Sequence, residues 1–480
     1  MIHEHDLIQT YHRETSHTRG RITGRSLNRE ETPVPFKLYR GGETFHLSQD
    51  LALPDIPLDI AHNARPLSPN VDMPSVLAGI CNLACGITQV RKQMDGSVFH
   101  FRSVASAGAL YPAELYIALQ NVTGLNDGLY HYCPLEHTLT RLRGGFVFGA
   151  LRGTAPIIRF YLTSIFHRSS WKYGARAYRY CLLDTGHLVE NLVLAARLYG
   201  LPATLDYDFN DRAATRFLCI DPDLEGCLAQ VHSLGCKAGM EVDEAVQIVG
   251  EGLPAFSRSA PKAVSPEQLL AIHGKTSSFA RCPVQSWAVA DRESTPLPPP
   301  VIAGSASAAM VARRSRRNFV PRTTPTRDLV DIISMLCDRD GPVCSNAIEV
   351  GILASENSGL TAGHHRINRK DRSTTLLRPG NFMAAAARVC LDQSWLENCA
   401  LHFVFTTDLE ALSRHCGPRA YRYAHLEAGR LGQQIYLAAT AKGLGACGIG
   451  AFFDNEVATL LALPRGQALI YLVGVGPVRK

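Results

Sequence analysis

The chain has 480 residues, of which 46% are hydrophobic and 19% charged, and its net charge at pH 7 is +6. This length suggests more than one domain, and the composition is that of a folded globular protein, which excludes a disordered chain. The basic residues are scattered and the apolar runs are too short to span a bilayer, so neither a nucleic-acid nor a membrane partner is expected.

Cysteine usage and the first residues bear on the compartment. The 14 cysteines are dispersed without a CxxC pair, so no metal site is predicted. No apolar segment follows Met1, so no secretory signal is expected. Free thiols without an export signal predict a reducing, cytoplasmic location.

Composition shifts along the chain suggest its organisation. Residues 1–60 are polar and rich in Pro and Arg, and are interpreted as an extended N-terminal arm. A first folded domain is expected over 61–250 and a second over 301–480. The Pro- and Ser-rich stretch 251–300 between them is interpreted as a linker with a short helix at 265–273.

Hydrophobic spacing predicts the main elements of the first domain. Apolar residues at helical spacing predict a helix over 73–90. Strands are expected near 128–132 and over 156–166. A long helix follows Asp184 and is expected to end near Gly200, because glycine suits the residue that follows a helix.

Small residues precede the first strong strand, where residues 102–119 read RSVASAGALYPAELYIAL. Ser106 and Gly108 carry little or no side chain, so backbone amides there can approach a ligand closely. Pro112 suits the approach to a strand. An ordinary turn that enters a buried strand would explain the same residues.

The second half of the chain repeats the first. Residues 174–211 align without a gap on 417–454, with 17 of 38 positions identical, and 114–132 align on 349–367. Two consistent registers indicate a duplicated domain, since the period is too long for a solenoid. Strands and helices of mixed order in each half predict the α+β class.

The motif from Ser106 to Tyr116 resembles the SAGALYPxELY motif of SagB-type (McbC-like) dehydrogenases, a branch of the FMN-dependent nitroreductase-like superfamily. The resemblance implies a tandem duplicated nitroreductase-like fold whose halves form a pseudo-dimer within one chain, able to act as a monomer. It also implies FMN as the cofactor and the oxidation of a peptide or peptide-like azoline by hydride transfer to FMN.

The second half carries a basic run, RRSRRNF at 313–319, that resembles the RRSxRxF signature of the superfamily. Arginine suits phosphate because its guanidinium makes bidentate, charge-assisted hydrogen bonds, although a solvated basic run would look the same. The resemblance implies flavin-binding roles for Arg313, Arg314, Ser315 and Arg317, for Gly448, Ile449 and Gly450 of a glycine-rich segment, and for Arg479.

Each half lacks what the other carries. The second-half counterpart of the Ser106 motif, 341–347, is unrecognisable, and residues 63–68 and 202–209 of the first half lack the basic run and the glycines. We therefore expect one complete FMN site between the halves, to which the first half contributes Ser106, Ala107 and Gly108. The symmetry-related second site is expected to be empty.

Lys172 and Tyr173 match the Lys-Tyr pair of SagB-type enzymes by position, and the resemblance implies that they are catalytic. A desolvated lysine beside cations can act as a base for a carbon-bound proton. A surface lysine beside a core tyrosine is the plainer alternative.

Two further functions stay open. The first is an NAD(P)H-dependent nitroreductase-type reductase of small molecules, and the second is a non-catalytic scaffold in a peptide-modifying complex. The Lys172–Tyr173 pair favours the dehydrogenase. The expected partners are a peptide or small-molecule substrate and, for the scaffold, other peptide-modifying enzymes.

Overall fold

A computed structural model shows the architecture of the chain. It describes residues 4–22, 27–40, 42–63, 67, 71–92, 94, 96–149, 153–237, 239–242, 264–278, 293–337 and 347–479. The predicted counterparts at 341–346 and most of 63–68 lie outside these residues.

Strands in the described residues are β1 (Thr44–His46), β2 (Ile87–Lys92), β3 (Val98–Arg102), β4 (Ala113–Gln120), β5 (Gly128–Cys133), β6 (Thr138–Gly144), β7 (Ile157–Ile165), β8 (Thr204–Asp206), β9 (Glu225–His232), β10 (Thr295–Pro296), β11 (Glu349–Ala354), β12 (Gly363–Asn368), β13 (Ser373–Pro379), β14 (Leu401–Asp408), β15 (Gly445–Ile449) and β16 (Gln467–Gly476).

Helices in the same residues are α1 (Glu4–Glu14), α2 (Met73–Cys85), α3 (Phe166–Tyr173), α4 (Ala177–Leu198), α5 (Asp211–Leu218), α6 (Glu267–Thr276), α7 (Ala306–Ala312), α8 (Thr326–Ser334), α9 (Met383–Val389), α10 (Leu409–Cys416), α11 (Ala420–Ala441) and α12 (Asp454–Leu461).

The chain divides into two compact units. We call them the C-terminal unit, which comprises Met1–Arg25, Pro57–Asp59 and Ala280–Lys480, and the N-terminal unit, which comprises Ser26–Ile56 and Ile60–Phe279. The first 60 residues, predicted to form a single arm, are shared between the two units.

Each unit is built on an antiparallel sheet of seven described strands. The order is β1-β6-β5-β4-β7-β9-β8 in the N-terminal unit and β10-β13-β12-β11-β14-β16-β15 in the C-terminal unit. The two orders correspond strand for strand. Glu114 lies opposite Thr163 and Glu349 opposite Thr406, so the two aligned segments of the sequence share one register. The tandem α+β fold is confirmed.

One long helix packs on each sheet. α4 and α11 have 22 residues each, and almost all of their side chains are buried. α4 packs on β4, β7, β9 and α2, and α11 packs on β15 and β16. Leucine, alanine and other apolar residues all round the helix suit such a two-sided environment. Gly200, with φ of 79°, ends α4 as predicted.

Two predicted elements differ from the structure. The helix predicted over 73–90 ends at Cys85, because Gly86 is extended and β2 begins at Ile87. Residues 4–14 form helix α1 instead of an extended arm, and its Ile8 and Tyr11 are buried. The nearest proline follows only at 33, so nothing in this segment prevents a helix.

The predicted linker helix exists and belongs to the N-terminal unit. α6 covers Glu267–Thr276, and the Thr276 hydroxyl lies 2.7 Å from the hydroxyl of Tyr178 on α4. Eleven described cysteines are free thiols, whereas Cys416 is disulfide-bonded, so the expectation of free thiols does not hold throughout. None of the described helices is both long and apolar enough to cross a membrane.

Candidate functional site

The Ser106–Gly108 turn is held by hydrogen bonds from its own small residues. The Ser106 hydroxyl accepts from the Tyr111 amide at 2.9 Å and donates to a carboxylate oxygen of Asp184 at 2.6 Å. The Ala107 amide donates to the same carboxylate at 3.0 Å. The Ser106 hydroxyl and the Ala107 amide therefore both make hydrogen bonds within the protein.

Asp184 is the residue of this site that the sequence analysis missed. It lies in the first turns of α4 and is buried. Burial raises the pKa of its carboxyl to about 7, although the hydrogen bonds from Ser106 and Ala107 act to lower it. A signal was present in the sequence, because an aspartate that follows two leucines on a buried helix needs a specific partner.

Gly108 brings the turn against the end of α3. Its φ of 61° and ψ of 11° lie in the left-handed region that favours glycine. A Cβ atom there would lie 2.6 Å from the Tyr173 hydroxyl and 3.2 Å from Lys172 Nζ. The structure thus brings together Gly108, Lys172 and Tyr173, which sequence reasoning had selected on separate grounds.

The Lys172 side chain is exposed at the surface of the N-terminal unit. Its Nζ lies 5.5 Å from the centroid of the Tyr173 ring, and that ring lies 4.5 Å from the ring of Tyr180. The desolvation invoked in the sequence analysis is therefore absent in this arrangement. The structure does place the Lys172 ammonium and the Tyr173 phenol next to each other and next to the turn at Gly108.

A buried network of charged side chains supports the Ser106–Gly108 turn. Arg168 pairs with Glu114 and donates to the Tyr111 carbonyl at 2.9 Å, and His131 lies 2.8 Å from the other oxygen of Glu114. Burial raises the pKa of Glu114, but the Arg168 charge and the His131 hydrogen bond outweigh it and bring the pKa to about 2. Arg168, near Lys172 in sequence, is thus a structural partner of Glu114.

The second predicted group assembles in the C-terminal unit. Ser315 forms a parallel bridge with Ala446 on β15, and Phe319 an antiparallel bridge with Val478. The Arg479 amide donates to the Asn318 carbonyl at 3.1 Å. The basic run therefore lies between β15 and the last residues of the chain, so Arg313, Arg314, Ser315, Arg317, Gly448, Ile449, Gly450 and Arg479 come from adjoining segments.

Tyr436 on α11 organises this group and was also missed. Its hydroxyl lies 3.0 Å from the Ser315 hydroxyl and accepts from the Gly448 amide at 2.6 Å. The Arg313 guanidinium lies 5.5 Å from the centroid of the ring. The Gly448 amide is therefore engaged inside the protein.

The basic residues of the run divide into inward and outward groups. Arg313 is buried, and Arg314 donates to the Val311 carbonyl at the end of α7 at 3.0 Å. Ser315, Arg317 and Arg479 are exposed. Exposed guanidinium and hydroxyl groups such as these are chemically suited to an anion.

Comparisons with known proteins agree with this architecture. The profile of the nitroreductase family matches residues 87–233 and 310–477, which is more than half of the chain and one match in each half. A putative nitroreductase from Anabaena variabilis has a similar structure, with 26% identity, a TM-score of 0.77, and coverage of 98% of this chain and 99% of that one.

Two peptide-processing proteins are similar over shorter stretches. The trifolitoxin-processing protein TfxB of Rhizobium leguminosarum bv. trifolii is 26% identical over 35% of this chain and 48% of its own length. The microcin B17-processing protein McbC of Escherichia coli is 29% identical over 25% of this chain and 49% of its own. The chain thus spans about half the length of these curated relatives. It belongs to the nitroreductase family of oxidoreductases, as a tandem, McbC-like member.

Proposed function

We propose that the protein is an FMN-dependent dehydrogenase that oxidises a peptide or peptide-like azoline. The contact of Gly108 with Lys172 and Tyr173 carries this proposal, because it joins the glycine turn to the pair assigned to proton transfer. The similarity to proteins named for processing trifolitoxin and microcin B17 supports a peptide substrate.

The residues present fit FMN. Arg317 and Arg479 are exposed cations that suit the phosphate, and the Ser315 hydroxyl suits a polar group of the ribityl chain. Gly448 is packed against Tyr471, whose hydroxyl lies 1.8 Å from the place that a Cβ would take, so only glycine fits here. The Ser106–Gly108 turn lies against the side chains of Lys172 and Tyr173, because Gly108 has no Cβ to keep them away.

We further propose that the chain binds one FMN rather than two. The basic run and the Ser106 motif are each present in one half of the repeat only, and this complementary loss supports the proposal. The family relationship supports FMN itself. One flavin per chain is the expected stoichiometry.

When bound, FMN supplies a two-electron acceptor for hydride. In the proposed reaction Lys172 Nζ takes the proton from the azoline carbon, and the Tyr173 phenol orients the ammonium or donates to the substrate. The Ser106–Gly108 turn, fixed by Asp184, limits how far the substrate can move from Lys172. Two electrons and two protons leave the azoline, which becomes a thiazole or oxazole.

The test is a visible spectrum with quantified flavin, followed by turnover of an azoline peptide with an added electron acceptor. We expect about one FMN per chain, and the loss of flavin in Ser106→Trp and in Arg313→Ala. Two FMN per chain would contradict the single site. A colourless protein that takes up no added FMN would contradict the enzyme and leave the scaffold.

The same preparation separates the reductase from the dehydrogenase. Bound FMN with NAD(P)H consumption on nitroaromatic compounds, and no azoline oxidation, would contradict the proposed substrate while keeping the cofactor. The exposed Lys172 makes this assay necessary, since its side chain lacks the desolvation expected of a base.

A further inference from the structure

A cysteine, a histidine and an aspartate form a hydrogen-bonded line in the N-terminal unit. Cys236 Sγ lies 3.1 Å from His232 Nδ1, and His232 Nε2 lies 2.8 Å from an Asp206 carboxylate oxygen. Arg159 adds a cation on the other side, with its Nε 3.2 Å from the same sulfur. None of these residues takes part in the flavin or proton-transfer groups described above.

The sheet and one turn account for this geometry. Asp206 on β8 lies diagonally across from His232 at the end of β9, and Arg159 on β7 lies directly opposite His232. A turn follows in which Gly235 has φ of 61° and the Cys236 amide donates to the Ser233 carbonyl at 3.1 Å. This turn brings Cys236 back over the histidine.

The duplicated scaffold does not require these residues. By strand register, the positions of Arg159, Asp206 and His232 are taken in the C-terminal unit by His402, Ile449 and Gly474. Asp206 and His232 lie on β8 and β9. The equivalent strands of the C-terminal unit are β15 and β16, and β15 carries the glycine segment. Asp206 and His232 thus stand where the other unit has an apolar and a small residue, and Arg159 stands where it has a histidine.

The electrostatics favour a thiolate beside an imidazolium. Burial raises the pKa of the Cys236 thiol, but the His232 hydrogen bond and the Arg159 charge outweigh it and lower the pKa below its ordinary value. Burial lowers the pKa of His232, but the hydrogen bond to Asp206 outweighs it and raises the pKa. Tyr161, 3.4 Å from Arg159, is the remaining titratable group on β7 in this cluster.

We propose that Cys236, His232 and Asp206 form a thiol-reactive site that takes small anionic disulfides. Cys236 is half-buried between the exposed Gly235 and Lys237, and the charge of the lysine suits an anionic reagent. Activation by a histidine that is itself oriented by a carboxylate is the arrangement used by cysteine nucleophiles.

The reaction is thiol–disulfide exchange. The Cys236 thiolate attacks one sulfur of the disulfide, a new S–S bond forms, and the original S–S bond breaks with its electron pair on the leaving sulfur. His232 gives its proton to that leaving thiolate. Cys236 is oxidised to a mixed disulfide while half of the reagent is reduced to a thiol.

The test uses the full chain with oxidised glutathione, and peptide mass mapping of every cysteine over time. Cys219 is the internal control, because it is also half-buried but burial raises the pKa of its thiol. We expect Cys236 to react ~10-fold or more faster than Cys219 at pH 7, with a rate profile whose midpoint lies below the ordinary thiol value of ~8.5.

Variants separate activation from structure. Asp206→Asn should slow the reaction of Cys236 and move its pH profile upward, while Cys236→Ser should remove the modified peptide. Circular dichroism shows whether Asp206→Asn is folded. If it is not folded, the reaction rates of Cys236 and Cys219 in the unmodified chain decide. Equal rates at Cys236 and Cys219, or an unchanged profile in folded Asp206→Asn, would overturn the proposal.

Discussion

The two long helices α4 and α11 begin with the same Ala-Tyr-Arg-Tyr sequence and differ in what they do with a buried carboxylate. Asp184 on α4 accepts hydrogen bonds from the Ser106 hydroxyl and the Ala107 amide, which are neutral. At the equivalent position of α11, Glu427 accepts from the Arg430 guanidinium at 2.7 and 2.9 Å. One scaffold therefore holds one carboxylate by dipoles and the other by a cation.

The partners decide the direction of each pKa. Burial raises the pKa of Asp184 to about 7, and its hydrogen bonds from neutral groups do not cancel the effect. Burial also acts to raise the pKa of Glu427, but the charges of Arg430 and Arg369 outweigh it and lower the pKa. The charged pair stabilises α11, whereas Asp184 holds a turn at the site. At this position the two copies of the helix therefore use a buried carboxylate differently, since Glu427 pairs with arginine and Asp184 holds the Ser106–Gly108 turn.

The largest effect is expected for Lys172, which lies on α3, just before α4. Lys172→Met should lower azoline turnover by about 10²–10⁴-fold while leaving the flavin content unchanged, because general-base catalysis contributes on that scale. His415→Met is the matched control, since His415 is the equivalent residue at the end of α10 and is also exposed. Equal losses in both variants, or unchanged turnover in Lys172→Met, would contradict the assigned role.

Next in size is the stability difference between the two carboxylates. Glu427→Gln should lower the free energy of unfolding by about 3–5 kcal/mol, because it leaves buried arginine charge uncompensated. Asp184→Asn at pH 8 should cost less than about 1 kcal/mol, since it removes a desolvated charge and keeps an acceptor for Ala107. Urea denaturation of both variants gives the comparison, and similar losses would show that the two sites are energetically alike.

The repeat and the grouping of the site residues could be predicted from sequence. Ser106, Gly108, Lys172 and Tyr173 were selected from local motifs, and the structure brings them together because β4 and β7 are paired neighbours. Exposure could not be predicted, because whether Lys172 is desolvated depends on packing around α3. The glycine-rich segment was not assigned an element from sequence, and Gly445–Ile449 forms strand β15.

Asp184 and Tyr436 could not be assigned from sequence because their partners are more than 70 positions away in the chain for Asp184 and more than 100 for the Ser315 contact of Tyr436. A helix period shows that a residue is buried but not which donor faces it. A buried aspartate in an apolar segment indicates that some partner exists. Only the tertiary structure identifies the Ser106–Gly108 turn as that partner.

A smaller effect is expected at the exposed arginine of the C-terminal unit. Arg317→Gln should weaken FMN binding ~10–100-fold, the equivalent of ~1.5–3 kcal/mol for a hydrogen bond to a charged group. Arg414→Gln is the control, because Arg414 is exposed on α10 and pairs with Glu410. Fluorescence titration with FMN measures both. Equal affinities in the two variants would remove Arg317 from the flavin site.

The smallest expected effect is on the pH dependence of the free energy of unfolding. Its slope should have opposite signs for Asp184 on α4 and for Glu427 on α11. The pKa of Asp184, about 7, lies above its unfolded value of ~3.9, so the folded chain binds the extra proton and its stabilisation is lost as pH rises from about 4 to 7. Glu427 has a lowered pKa, so its contribution is present above its unfolded value and is lost as pH falls.

Asp184→Asn should therefore flatten the loss of stability between pH 4 and 7 by at most about 1.4 kcal/mol per pH unit, and Glu427→Gln should change the slope in the opposite direction. Urea denaturation at pH 5, 6 and 7 measures the slope for Asp184, and denaturation at pH 3, 4 and 5 measures the slope for Glu427, whose unfolded pKa is ~4.3. A slope for Asp184→Asn that parallels the unmodified chain would mean that the Ser106–Gly108 turn holds the carboxylate charged, and that the two helices do not differ in this respect.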